Sequence, residues 1–215
     1  PFTSILPKPL IPINGTPIIK LIINSFALDK VKEIFVSVKY KSLILKSYLK
    51  SEIKDRKIIF ITEPKPLGTI GALKLVDQKK LSDDIIITFC DIFFQKNMDN
   101  VLNFHKKNHN DLTIVVAKKK IQIPYGVCKL SRTGNFIKIS EKPINECFVN
   151  VGYYIIKKKM LKYIIKGKRL DITDLIKKIK SGKNKIKTYP INENTWHDVG
   201  QWANYKDALN SLKTL

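Results

Sequence analysis

In the first half of the chain, short apolar, β-branched runs alternate with segments of helical period, and no other feature of the sequence limits the fold as strongly. Residues 34–38 (IFVSV), 58–62 (IIFIT), 85–89 (IIITF) and 112–117 (LTIVVA) have the length and composition of strands. Between them, residues 41–49, 67–76 and 101–108 repeat apolar side chains every three or four positions. Such repetition buries a mostly parallel sheet beneath helices, so an α/β, doubly wound architecture is expected. The second half changes character. Residues 126–130 and 136–140 flank the turn Thr133-Gly134-Asn135 as an antiparallel hairpin, and residues 148–156 form a further strand. Short helices at 158–165 and 173–180, a strand at 185–189 and a closing helix from about Gln201 to Leu212 complete the expectation.

The 215 residues are 44% hydrophobic, enough for a substantial core, and no apolar run reaches the length of a membrane span. The net charge of +22 is dispersed along the whole chain, with no basic arm and no zinc, helix-turn-helix or RNP-like pattern. No nucleic-acid partner and no membrane association are therefore expected. Cys90, Cys128 and Cys147 are odd in number, lack CxxC spacing and sit in apolar runs. They are expected to be reduced core residues of a cytoplasmic protein.

Four stretches carry candidate chemistry. In LPKPLIPINGTP, Pro7 and Pro9 stiffen the backbone around Lys8. Asn14-Gly15 then turns the chain, Thr16 is placed to cap, and Pro17 suits the start of a helix over 18–27. Lys8 by itself reads equally as a solvated surface charge. In EPKPLGTIGAL, from Glu63 to Leu73, a loop crosses the carboxyl edge of the sheet, where open α/β sheets bind ligands. Its glycines suit close approach of a ligand, or simply tight packing. Asp91 follows the strand 85–89 and precedes an apolar patch, so its carboxylate needs a partner, a metal or a capping role. Asp198, in WHDVG, is a second carboxylate that reads either as a ligand or as a helix cap. His197 and the tryptophans read as packing residues.

Together with Tyr125-Gly126-Val127, Glu141-Lys142-Pro143 and Asn150-Val151-Gly152, these stretches resemble, in order and spacing, the motifs of the sugar-1-phosphate nucleotidyltransferases. The resemblance runs from Pro1 to about Leu209. It is closest to a mannose-1-phosphate guanylyltransferase-like subgroup often fused to CBS domains, notably in YKSLILKSY, DITDLI and WHDVGQWANY. Ile70 and Cys90 depart from the commoner alanine and glycine. The resemblance implies a Rossmann-like, mostly parallel sheet with a smaller antiparallel sugar-binding subregion, the nucleotide-diphospho-sugar transferase fold. One nucleotidyltransferase domain would span the chain, with residues 1 to about 120 as the nucleotide half and the rest as the sugar half. The family's first strand and glycine-rich loop would lie immediately before Pro1 and are missing from the sequence. In a doubly wound sheet that strand is central, so two unpaired edges are expected.

By the same resemblance, Lys8 contacts the phosphates, while Glu63, Leu67, Gly68 and Thr69 surround the nucleobase. Asp91 and Asp198 hold Mg2+. Lys142 takes the phosphate of the sugar 1-phosphate, Glu141 and Asn150 take sugar hydroxyls, and Gly126 and Gly152 present backbone. The implied reaction joins a nucleoside triphosphate to a sugar 1-phosphate, giving a nucleoside diphosphate sugar and pyrophosphate. The other reading is a catalytically silent nucleotide-sugar sensor. A Glu63 carboxylate could accept both N–H groups on the guanine edge, which favours GTP, although it could equally bond backbone amides. A homo-oligomer and an upstream CBS regulatory pair are both compatible with the resemblance.

Overall fold

The computed structural model describes residues 6–27, 29–39, 42–94, 98–200, 205 and 209. Its opening hairpin pairs β1 (Pro12–Ile13) with β2 (Thr16–Pro17) about Asn14 and Gly15, whose φ angles of 47° and 81° suit a two-residue turn. The chain passes straight into α1 (Ile18–Asn24), whose Ile18, Ile19, Ile22 and Ile23 are buried. Thr16 is used in β2 and caps nothing. The expected helix over 18–27 stops at Asn24, where Ser25 closes the last turn through its own N–H and hydroxyl.

A parallel βαβ unit follows: β3 (Glu33–Val38), α2 (Ser42–Glu52) and β4 (Lys57–Thr62). Next come β5 (Asp84–Thr88), β6 (Ile92–Phe94), α3 (Asp99–Lys107) and β7 (Leu112–Gln122). The hairpin β8 (Val127–Leu130) and β9 (Phe136–Ser140) is antiparallel, as its turn chemistry requires. The chain ends its described course in β10 (Ile144–Lys157), α4 (Ile172–Ser181), β11 (Ile186–Ile191) and β12 (Trp196–Asp198). The expected closing helix lies outside the described residues except for Tyr205 and Leu209, both helical.

The main sheet runs β11-β7-β10-β5. β11 is parallel to β7, but the long β10 runs against both β7 and β5, so the sheet is mixed. From Val151 to Ile156 every β10 side chain is buried, because α4 and its neighbours cover one face and α3 the other. β3 and β4 form their own pair, and β12 pairs with β6.

Three expectations fail for identifiable reasons. Residues 67–76 hold only a 3-10 turn at Gly71–Leu75, because residues 67–70 give their backbone groups to residues 170–172 instead of to a helix. Residues 158–165 likewise form a 3-10 turn, Lys158–Tyr163. The cysteines are not core residues: Cys90 and Cys128 are exposed and Cys147 is half-buried. Cys128 and Cys147 sit where β8 and β10 project beyond the core, in a region where Phe136, Ile139 and Phe148 are also exposed.

His105 of α3 is fully buried, with Nδ1 2.8 Å from Thr113 Oγ1. Burial pulls its pKa below the usual 6.5; Asp84 opposes that shift and Lys157 adds to it. The unfolded chain therefore binds a proton that the folded chain refuses. Stability is expected to fall as pH drops through 6.5 towards the folded value, at up to about 1.4 kcal/mol per pH unit. Urea midpoints between pH 8 and pH 5 should show that slope in the parent chain and a flatter one in His105→Asn.

Candidate active site

Lys8, Asp91 and Asp198 arrive from distant parts of the chain and meet around Gly200. Pro7 and Pro9 fix the 3-10 turn Lys8–Leu10, in which Leu10 N–H bonds Pro7 O at 2.8 Å. That turn aims Lys8 across the carboxyl end of β5, where its Nζ lies 2.7 Å from Asp91 Oδ2. Asp198 comes alongside because β12 pairs with β6, setting Asp198 opposite Ile92, and because Val199 N–H bonds Asp91 O at 2.9 Å. A Cβ placed on Gly200 would sit 2.8 Å from Asp198 Oδ1, 3.2 Å from Asp91 Oδ2 and 3.4 Å from Lys8 Nζ. Gly200 was not singled out in the sequence; its place directly after Asp198-Val199 was the available signal.

Partial burial pulls the Lys8 ammonium down, but the adjoining Asp91 carboxylate outweighs it, helped by Cys90 and Asp198, and holds its pKa above the ordinary value. Lys8 is therefore cationic throughout the physiological range. The Asp91 side chain meets Lys8 rather than a helix end, so the capping alternative does not describe it. Asp198 Oδ1 accepts a hydrogen bond from Gly200 N–H at 2.7 Å in an Asx turn, and the same oxygen borders the cradle. His197 stacks on Phe93 with centroids 4.9 Å apart, the packing role expected for it.

Two of the expected sugar-side residues adjoin this cluster. Gly152, at φ 73°, lies so close to the β5–β6 junction that a Cβ would overlap Ile92 Cδ1 and come within 3.0 Å of the Phe89 ring. Asn150 Oδ1 accepts Gly152 N–H at 3.0 Å, and its amide donates to Tyr154 OH, in the irregular stretch where the β10 register shifts. Gly126, Glu141 and Lys142 form a separate group on the exposed hairpin. A Cβ on Gly126 would stand 2.9 Å from Glu141 Oε2, and Lys142 adopts φ 45° with its N–H directed at Tyr125 O.

The loop from Glu63 is held by its own neighbours. Glu63 Oε1 accepts the Ser37 hydroxyl at 2.5 Å, and Oε2 accepts Leu67 N–H at 2.9 Å. Each oxygen thus accepts one bond in shaping the loop, the backbone-amide bond being the alternative that the sequence left open, and keeps a second lone pair. Leu67 is fully buried. Thr69 N–H bonds Asp171 Oδ1 at 3.0 Å, and Thr69 Oγ1 in turn caps α4 by accepting Ile172 N–H at 2.8 Å. Asp171 was also not singled out, although its place at the head of an amphipathic helix marks it as a cap. Ser37→Ala is expected to lower stability by about 0.5 kcal/mol in chemical denaturation, by removing one charge-assisted bond at an exposed site.

Known proteins resemble this chain in sequence and in fold. The family model described as nucleotidyl transferase matches residues 1–214. The bifunctional protein GlmU of Methanococcus aeolicus is 30% identical over 228 residues, covering 100% of this chain and 52% of that protein. A mannose-1-phosphate guanyltransferase of Emericella nidulans is 30% identical over 210 residues, covering 94% of this chain and 57% of that protein. The chain thus spans about half the length of these relatives. Among solved structures, HddC from Yersinia pseudotuberculosis superposes with a TM-score of 0.71 at 22% identity, over 96% of this chain and 90% of that one, and shares the fold. The same protein has been solved complexed with GMP-PN.

Proposed function

The chain belongs to the nucleotidyl transferase family, and on that premise we propose that it transfers a nucleotidyl group from a nucleoside triphosphate to a sugar 1-phosphate. A phosphate oxygen of the sugar attacks the α-phosphorus, the α–β bond breaks, and pyrophosphate leaves. The attacking oxygen is already anionic, so no general base is required; the work is alignment and charge neutralisation. The observation that carries the reading is the meeting of Lys8, Asp91 and Asp198 about Gly200.

Lys8 holds the triphosphate with a fixed positive charge. Asp91 and Asp198 are the residues that would hold Mg2+. Their fit rests on the Gly200 cradle, which one oxygen of each carboxylate borders at about 3 Å. Magnesium takes oxygen ligands and keeps water and substrate phosphates in its shell, so two carboxylates would suffice. Held there, Mg2+ would supply positive charge against the phosphate oxygens. Asn150 and Gly152, next to the cluster, would meet the sugar, and Lys142, Glu141 and Gly126 of the hairpin would contribute from their separate group. Lys142 offsets the repulsion between two anionic substrates.

GTP is the favoured nucleotide, supported by the guanyltransferase name of the Emericella relative and the GMP-PN complex of HddC. A cytoplasmic setting is part of the reading. No helix among the described residues is long and apolar enough to cross a membrane. The test is pyrophosphate release by the full-length protein with Mg2+, four nucleoside triphosphates being crossed against glucose, mannose and glucosamine 1-phosphates. Turnover with GTP and one sugar is expected. Nucleotide binding without turnover on any pair would overturn the reading.

A further inference from the structure

Asp171 holds the N-cap position of α4, yet its side chain accepts nothing from its own helix. An aspartate there ordinarily bonds the second or third helical N–H and stabilises the helix by doing so. Here Oδ1 accepts Thr69 N–H at 3.0 Å instead, from a loop 102 positions earlier in the chain. Thr69 supplies the missing cap, its Oγ1 accepting Ile172 N–H at 2.8 Å. The exchange returns to α4 about what it takes away, so helix stability does not account for it. What it changes is the loop. We propose that Asp171 is a positioning residue for the nucleotide: acting through Thr69, it holds residues 67–71 in their binding conformation before any ligand arrives. The inference rests on the nucleotidyl-transfer reading above and deepens it by naming a residue that acts through another.

The loop is committed along its length. Leu67 N–H goes to Glu63, Thr69 N–H to Asp171 and Ile70 N–H to Leu170 O, while Leu67 O takes Leu170 N–H. Of the four amides from Leu67 to Ile70, only that of Gly68 has no partner among the described residues, and it stays available to a ligand. Leu67 and Ile70 are buried, so packing holds them as well. Thr69 is exposed and is held by its bonds to Asp171 and Ile172. Gly68, at φ 77°, adjoins it, and glycine reorients readily once a neighbour is released. Arg169 Nη2, 3.4 Å from Asp171 Oδ2, helps keep the carboxylate turned with Oδ1 towards the loop. A loop that must be ordered on binding takes its ligand more weakly than one already in place.

The test measures nucleotide binding apart from turnover. Full-length protein is titrated with each of the four nucleoside triphosphates and Mg2+, without sugar phosphate, and steady-state kinetics follow on the same preparations. Asp171→Ala is expected to raise Kd and KM for the nucleotide about tenfold, the affinity lost when about one residue must be ordered on binding. Its kcat at saturating nucleotide and its KM for the sugar 1-phosphate are expected to stay within about twofold of the parent's. Asp171→Asn keeps an acceptor for Thr69 N–H and is expected to restore parental binding. Asp171→Ser separates the loop from the helix: its hydroxyl can cap α4 but is too short to hold Thr69. It is expected to weaken nucleotide binding as Asp171→Ala does, with a Tm near the parent's. A purely structural role would lower Tm and the fraction of active enzyme while leaving both KM values alone, and that result overturns the proposal. So does an equal rise in both KM values, or parental binding by Asp171→Ser. A parent protein that binds no triphosphate would overturn the nucleotidyl-transfer reading itself, whereas parent binding that neither variant weakens would overturn the role of Asp171 alone.

Discussion

Asp91→Asn and Asp198→Asn are each expected to slow nucleotidyl transfer about a hundredfold or more while leaving Tm close to that of the parent protein. Removing one charge that acts on the transition state costs on the order of 3 kcal/mol, which is a factor of a hundred in rate. Stability should scarcely change, because the groups are not core. The Asp91 and Lys8 side chains are 26% and 35% exposed, and an ion pair in that setting contributes little. Asparagine keeps the acceptor that Asp198 offers to Gly200 N–H, so the Asx turn survives. Steady-state kinetics on both variants, with thermal melts on the same preparations, decide the matter. A large fall in Tm with activity retained would show that the two carboxylates hold the chain and not the substrate.

Gly68→Ala is expected to cost about 3 kcal/mol or more of folding stability, the largest effect of any single methyl considered for this chain. Gly68 has φ 77°, and a Cβ there would lie 2.5 Å from Leu170 O, 2.7 Å from Asp171 Oδ1 and 2.8 Å from Leu170 C. Backbone atoms cannot swing aside as a side-chain tip does. The clasp they belong to would have to open: Leu170 N–H to Leu67 O, Ile70 N–H to Leu170 O, and the reciprocal Thr69 bonds to Asp171 and Ile172. Gly134 is the control. Its φ is 87° but nothing lies within 4 Å of the Cβ position, so Gly134→Ala should lose only about 1 kcal/mol, the cost of the left-handed backbone. Equal urea midpoints for the two variants would show that the clasp is not under load.

How far the fold could be read from sequence varies by segment. The strands at 34–38, 58–62 and 85–89 and the hairpin at 126–140 fall where periodicity and turn residues placed them. Those signals are local, since β-branched runs and a Thr-Gly-Asn turn restrict the backbone wherever they occur. The helix expected at 67–76 has the right spacing and still does not form, because its first residues find better partners a hundred positions away. The cysteines look buried by composition and are not, because β8, β9 and the start of β10 extend past the core and leave apolar residues in solvent. Glu63 illustrates the same limit within the site. Its carboxylate was legible, but Ser37, the partner that takes one of its oxygens, lies on another strand.

By itself, the sequence determined the α/β class, most strand positions and the identity of the charged groups Lys8, Asp91 and Asp198, because those follow from residue type, local spacing and motif order. Only the tertiary structure decided that the three groups share one cradle at Gly200 and that β10 runs against its neighbours. The physical reason is separation along the chain. Lys8 and Asp91 are 83 residues apart, and no local propensity encodes a contact over that distance. It exists because β6 pairs with β12, the proline turn holds Lys8 over the end of β5, and the buried faces leave those elements no other way to pack.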